Sequence, residues 1–384
     1  MTRVAVTRTL LRWARERSGL APDVLTRSFP KFPQWESGQA QPTLRQLEAL
    51  AKKTLTPLGY FFLLEPPEDR LPIPDFRTLG DVSVHRPSPN LLETVQTMQV
   101  RQAWMREFLV EQGQPPLDFV GSAVPTNEPV GIAQAIRRVL GIADGWAGQQ
   151  HTWTSALRAL QSAVEEVGIL VVSNGVVGNN THRKLDPSEF RGFVLADEYA
   201  PLVFINGADG KAAQMFTLAH EIAHVWFAKS AVFDLRNLQP ADNDTEKACN
   251  KVAAEILVPE QELRRHWPGM QQDPEPFQAI ARTFKVSALV GARRALDLGL
   301  ISKSAFLDFY AAYQEDERRR AESTSEGGNF YATQNMRIGR RFAHAVVRAA
   351  KEGRLLYRDA YQLTGLYGKT FDRFAKGLGR GGEL

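Results

Sequence analysis

The chain has almost no cysteine. Cys249 is the only one in 384 residues, so no intrachain disulfide can form. Covalent stapling is excluded as a source of stability, and a reducing cytoplasm is the expected setting. Long apolar runs are also missing. No stretch of about 18 apolar residues occurs, so no membrane-spanning helix is expected. The N-terminus, MTRVAVTRTLLRWARERSG, is too charged for a secretory signal. No internal repeat is visible, which argues against a solenoid.

What is present is ordinary in amount and uneven in distribution. Apolar residues make up 43% and charged residues 23%, as in globular proteins with a sizeable core. The length allows two or three domains. Residues 1–64 hold 10 Lys/Arg against 4 Asp/Glu, and residues 329–384 hold 11 against 4. The middle is acidic, with 26 against 35. Basic ends around an acidic centre either meet an anionic partner or pack on that centre.

Hydrophobic periodicity predicts helix over residues 2–18, closed by Gly19, and a second helix opened by Pro22. A short element surrounds Trp35, and Leu44–Lys53 forms another helix with Leu44, Leu47, Leu50 and Ala51 inward. PLGYFFLL at 57–64 caps this bundle. The prolines of EPPEDRLPIPDF mark residues 65–84 as a stiff linker. Further helices are expected at Leu91–Gln112, Ile132–Leu140 and Thr154–Val167. Residues 168–172 read as a buried strand. Phe193–Leu195 and Leu202–Ile205 read as a hairpin around Asp197-Glu198. Two more helices follow at Ala212–Phe227 and Thr245–Leu257, with a polar loop between them. Ile280–Leu300 shows two helical halves around Val286-Ser287. Residues 311–328 form a second linker, and a helical segment covers Asn335–Leu378.

The most informative stretch is His220-Glu221-Ile222-Ala223-His224, an H-E-x-x-H pattern. On a helix, positions i and i+4 share a face. Two imidazoles so placed can hold one zinc ion, and Glu221 can act as general base on a water. The flanks Phe216, Leu218, Ile222, Val225, Trp226 and Phe227 are apolar, so the helix is expected to be buried. Burying two imidazoles and a carboxylate is costly unless they are paired or bind metal. A catalytic zinc site needs a third protein ligand. Glu246 is favoured, because it stands near a helix start beside a loop; Glu255, nine residues on, is the rival. Asn250, one turn beyond Glu246, can accept the second N–H of a liganding histidine. Asp242, Asn243 and Asp244 read as caps, and Cys249 as a small buried residue. Tyr199, His151 and His182 are oxyanion-donor candidates by residue type alone.

These residues resemble the ImmA/IrrE family of zinc metallopeptidases. One shared block stands here as Phe216-Thr217-Leu218-Ala219-His220-Glu221-Ile222-Ala223-His224, and a second runs from Glu246 through Asn250 and Glu255 to Pro259. The resemblance implies Glu246 as third ligand. Here Cys249 stands between the alanine and the asparagine that the family keeps adjacent, which bears on the helical phase of Asn250. Residues 8–63 also resemble a Xre/Cro-type helix-turn-helix, through Trp35-Glu36-Ser37-Gly38 and Pro42-Thr43-Leu44-Arg45-Gln46-Leu47. The Ile280–Leu300 pair is similar to the segment that follows the peptidase core in this family.

The implied architecture is α+β and mostly helical. It has a helix-turn-helix module at 1–64, a zincin-like core with a small sheet at 85–310 and a basic helical module at 329–384. Within the core, 278–302 is helix-turn-helix-like. The implied protein is a gluzincin-like hydrolase with one catalytic Zn2+, cytoplasmic, which cleaves a repressor or toxin-system partner in a bacterial or prophage setting to relieve repression. The alternative is a non-proteolytic DNA- or toxin-binding regulator with structural zinc.

The expected recognition stretch, Thr26–Trp35, offers Arg27, Lys31 and Gln34 to DNA. Pro30 and Pro33 interrupt it, with Pro30 a candidate first helical residue, and Trp35 and Glu36 read as core and pair. A four-helix docking module fits the same residues. Arg337, Arg340, Arg341 and Arg348 are either a nonspecific anion contact or a solvated helix face. The extended Pro72–Arg77 segment with Asp75 could also lie in the substrate cleft.

Overall fold

The computed structural model describes residues 3–67, 87–227, 243–315 and 330–380. The expected linkers and the Asp75 segment fall mostly or wholly outside these residues, as does Asp242. The described residues form two compact units, the first comprising 3–67 and 87–96, the second beginning at 97.

In the first unit, α1 (Arg8–Ser18), α2 (Pro22–Ser28), α3 (Phe32–Ser37) and α4 (Leu44–Lys53) surround Leu10, Leu11, Leu25, Phe32, Trp35, Leu47 and Leu50. A 3-10 turn over Leu58–Phe62 adds Phe61 to this core. Helix α1 starts later than its periodicity predicts. Thr7 caps it by accepting the Leu10 N–H, and the residues before it run extended, with the Val4 N–H donating to Pro42 O at 2.8 Å. Gly19 closes α1 in the left-handed region, φ 65°, which glycine adopts without a Cβ clash. Thr43 and Gln46 form a reciprocal capping box on α4. Leu44, expected inward, is exposed.

The expected recognition stretch is not one helix. α2 ends at Ser28, and α3 begins only at Phe32 with Pro33 in its first turn. Pro30 lies in the connection rather than at a helix start. Arg27, Lys31 and Gln34 are exposed, and Arg27 pairs with Asp23 at 3.4 Å. Trp35 is buried and Glu36 pairs with Arg15 at 2.9 Å.

The second unit is mostly helical around a small sheet. Helix α5 (Pro89–Glu111) enters it, followed by α6 (Pro129–Val139) and α7 (Trp153–Glu166). Five strands follow: β1 (Leu170–Asn174), β2 (Val176–Val177), β3 (Asn180–Lys184), β4 (Gly192–Leu195) and β5 (Leu202–Asn206). The main sheet has the order β1-β5-β4, with β1 parallel and β4 antiparallel to β5. The β2–β3 hairpin stands apart from it. Sequence periodicity missed that hairpin, because β3 reads Asn-Thr-His-Arg-Lys with no buried face.

Beyond the sheet come α8 (Lys211–Phe227), α9 (Asn243–Leu257), α10 (Glu260–Met270), α11 (Pro276–Phe284), α12 (Ala288–Asp297) and α13 (Lys303–Glu315). Ser287 caps α12 between the two halves of the helix pair. Helix α13 runs past residue 311, where the second linker was expected. The expected C-terminal segment consists of α14 (Phe330–Ile338), α15 (Arg340–Lys351), α16 (Tyr357–Thr364) and α17 (Gly368–Arg380). Helices α14 and α15 cover the edge strand β1. At Gly339, φ 86°, a Cβ would sit 2.8 Å from Val171 O, so the approach requires glycine. The Arg101 guanidinium donates to Leu363 O and Arg337 O at 2.9 and 3.0 Å, tying the C-terminal helices to α5. No helix among the described residues is long and apolar enough to cross a membrane.

Candidate metal centre

Helix α8 carries the H-E-x-x-H residues. Its sequence, KAAQMFTLAHEIAHVWF, holds no Gly or Pro and is buried on nearly every side. Both ends are fixed. The Gln214 amide donates to Asp209 O at 2.6 Å beneath the first turn. At the other end, the Gly121 and Ala123 N–H groups donate to Val225 O and Trp226 O, carbonyls that a helix end otherwise leaves unpaired. Trp226 stacks on Phe119, ring centres 4.5 Å apart. The two histidines therefore sit on a rigid rod packed against β4, β5 and α9.

Helix α9 brings Glu246 and Asn250 to the same place. Glu246 Oε2 lies 3.1 Å from His220 Nε2, and Glu246 Oε1 lies 2.8 Å from His224 Nε2. The two Nε2 atoms are 3.1 Å apart. Ligand atoms of all three residues fall within 4.8 Å of one another, the one such group among the described residues. His220 Nδ1 is 3.2 Å from Asn250 Oδ1. That oxygen can only accept, so the ring donates from Nδ1 and leaves a lone pair on Nε2.

The residues fit a divalent cation. Two imidazole nitrogens and a carboxylate converge, and the buried Glu246 Oε1 has no donor at a hydrogen-bonding angle. Electron-rich atoms this close repel unless a proton or a cation lies between them. Two imidazoles and a carboxylate are a donor set that zinc accepts, with a further position left for water. Burial alone would raise the Glu246 carboxyl, but the two imidazoles hold it well below the usual carboxylate range. Burial would likewise lower His224; Cys249, Glu246 and Glu221 around it raise it instead.

Glu221 lies beside this group and outside it. Its side chain is buried. A Cβ added to Gly192 on β4 would come within 3.3 Å of Glu221 Oε1 and 2.5 Å of Thr217 Cγ2. The bare backbone of the edge strand thus runs directly past the Glu221 carboxylate. Nothing in the sequence distinguishes Gly192 from other glycines.

Glu255, the rival ligand, faces elsewhere. It forms a buried ion pair with Arg294 and accepts the Glu260 N–H at 3.2 Å, joining α9 to α10 and α12. Helix α9 is continuous across Cys249, so that residue leaves the phase of Asn250 unchanged. Cys249 is fully buried with its thiol against His224, a neighbour its small size did not announce. Asp244 is paired with Lys247 at 3.6 Å. Tyr199 lies under the Arg106 guanidinium, 4.9 Å from its ring centre, and His151 and His182 are exposed.

Residues 164–296, about a third of the chain, match the peptidase M78 family model, described as IrrE N-terminal-like domain. This segment holds the sheet, α8, α9 and the helix pair. The match supports the ImmA/IrrE family and a peptidase of metallopeptidase type. Residues 338–377 match a domain of unknown function (DUF8813), spanning α15, α16 and most of α17. No curated protein and no solved structure matches the chain.

Proposed function

We propose that the protein is a zinc-dependent endopeptidase with a regulatory role, which cleaves a partner such as a transcriptional repressor. The observation that carries this reading is the convergence of His220, His224 and Glu246 beside the Glu221 carboxylate. His220, His224 and Glu246 would hold the ion, and Asn250 orients His220. The bound ion supplies Lewis-acid activation of water and of the scissile carbonyl. Glu221 takes the proton from the attacking water and returns it to the departing amine. Among the described residues β4 is an edge strand, and its Gly192 end runs beside Glu221, so an extended peptide can align there by strand addition.

For the N-terminal unit we propose a Xre/Cro-type helix-turn-helix role in DNA binding, supported by the exposure of Arg27, Lys31 and Gln34 and the excess of positive charge over residues 1–64, while the division of the recognition stretch between α2 and α3 favours the docking alternative. A zincin-like core, a cytoplasmic location and a bacterial or prophage setting complete this reading.

The product of the adjacent gene is the first substrate to test. Incubation with the zinc-loaded protein, read by intact-mass spectrometry, should yield two fragments. The Glu221→Gln variant should bind zinc stoichiometrically, melt like the parent and yield none. Full regulatory function in cells from Glu221→Gln would instead favour a non-proteolytic regulator.

A further inference from the structure

The C-terminal helices expose aromatic rings at one place. Tyr367 is 64% exposed and Tyr357 49%; among the described residues the other rings exposed to a comparable degree, Phe62 and Tyr310, stand on other elements. These two are held firmly. Tyr361 lies between them, with ring centres 6.2 Å from Tyr357 and 6.0 Å from Tyr367. Tyr361 and Tyr357 in turn lean on the buried Phe371, at 5.3 and 6.1 Å. The outer rings are therefore mounted on a packed aromatic base.

Cations adjoin both outer rings in the sequence. Arg358 follows Tyr357 and Lys369 follows Tyr367 by two residues, both exposed. Between 352 and 376 the chain carries Arg354, Arg358, Lys369, Arg373 and Lys376 against Glu352, Asp359 and Asp372; Arg354 pairs with Glu352, and Arg358 pairs with Asp359 at 3.2 Å on the exposed surface. The β2–β3 hairpin abuts the same spot. The Asn179 side chain at its tip donates to Gly365 O, two residues before Tyr367, at 3.1 Å. Strand β3 then presents His182 and Lys184 to solvent.

We propose that this face, built from α16, the α16–α17 turn and the β2–β3 hairpin, binds single-stranded nucleic acid. Exposed rings on a rigid base offer stacking platforms for unpaired bases, and the flanking cations meet the phosphates. A duplex buries its base faces in its own stack and cannot use the rings. Leu356, 65% exposed, adjoins Tyr357, but Arg358 and Lys369 stand directly beside the two outer rings, a mixture of rings and cations that fits a polynucleotide better than the continuous apolar face of an amphipathic peptide. It shares no residue with the metal centre, so it stands independently of the proposed peptidase.

Fluorescence anisotropy of the full-length protein with a fluorescein-labelled oligothymidylate tests this. Binding should weaken steeply as KCl rises. Replacing both rings, Tyr357→Ala with Tyr367→Ala, should weaken it on the order of tenfold or more, while the paired Phe variants retain it. Arg358→Gln with Lys369→Gln should reduce the slope of log affinity against log salt by roughly 0.7 for each phosphate that is no longer neutralised. These two cations lie on the surface, so this arm stands even if the alanine pair unfolds. No binding at low salt would overturn the proposal. So would wild-type affinity in both the ring and the cation variants, equal ring dependence for a duplex, or equal ring-dependent binding of polyglutamate.

Discussion

His220 Nδ1 lies 3.2 Å from Asn250 Oδ1, a contact between α8 and α9 that fixes which face of the imidazole looks toward Glu246. Because Nδ1–H donates its hydrogen bond to the amide oxygen, Nε2 keeps its lone pair at the centre of the His-His-Glu group. Asn250→Ala should therefore lower zinc affinity by about 10- to 100-fold while leaving one ion bound at saturation. Competition with a chromophoric chelator measures this. Unchanged affinity would mean that Asn250 only fills space.

Glu246 and Glu255 stand on one helix and do different work. Glu255→Gln leaves the buried Arg294 without its ion-pair partner, which should cost about 3–5 kcal/mol. Its zinc content should remain one per chain. Glu246→Ala should do the opposite, losing zinc with a smaller effect on the metal-free melt. Denaturant titration with metal analysis separates the two; zinc loss in Glu255→Gln would reverse the assignment.

The site was more legible in the sequence than its surroundings. His220, Glu221 and His224 are fixed by helical spacing, and Glu246 and Asn250 are likewise one turn apart on α9, so short-range periodicity brings each set to one face. The contacts that support them are long-range. Gly192 reaches Glu221 only through the order β1-β5-β4, and Arg294 reaches Glu255 across 39 residues. The β2–β3 hairpin escaped because its polar strand carries no alternation. In the N-terminal unit, residues 2–18 look helical by pattern, yet the Thr7 cap and the Val4–Pro42 bond make the first residues extended. Arg341, read as a surface cation, instead reaches Glu165 on α7.

Gly192 leaves the space that Glu221 occupies. A methyl group there would meet Thr217 Cγ2 and Phe204 O closer than atoms tolerate, and would crowd the carboxylate. Gly192→Ala should therefore displace the proposed base or the strand that carries the substrate. On the order of 10- to 100-fold loss in kcat is expected, with zinc still bound. Steady-state kinetics on a cleavable partner checks this. A variant with wild-type kcat would show that the strand shifts without disturbing Glu221.

Glu165 makes the fold sensitive to pH. Its carboxylate accepts the Arg341 N–H at 3.0 Å, at the start of α15, where a negative charge is welcome. Burial nevertheless outweighs this and raises its pKa from 4.5 to about 7. The folded chain thus holds this proton more tightly than the unfolded chain. Below 4.5 the group is neutral in both states and exacts no penalty. As pH rises from there to about 7, the unfolded state ionises first and stability falls, by at most about 3 kcal/mol. Glu165→Gln keeps an oxygen for the Arg341 N–H and removes the charge. It should flatten this slope, raising the Tm on the alkaline side of neutrality and leaving it unchanged in acid. Thermal melts across the pH range measure both limbs. Parallel curves for variant and parent would mean that the carboxyl ionises as freely in the folded chain as in the unfolded one.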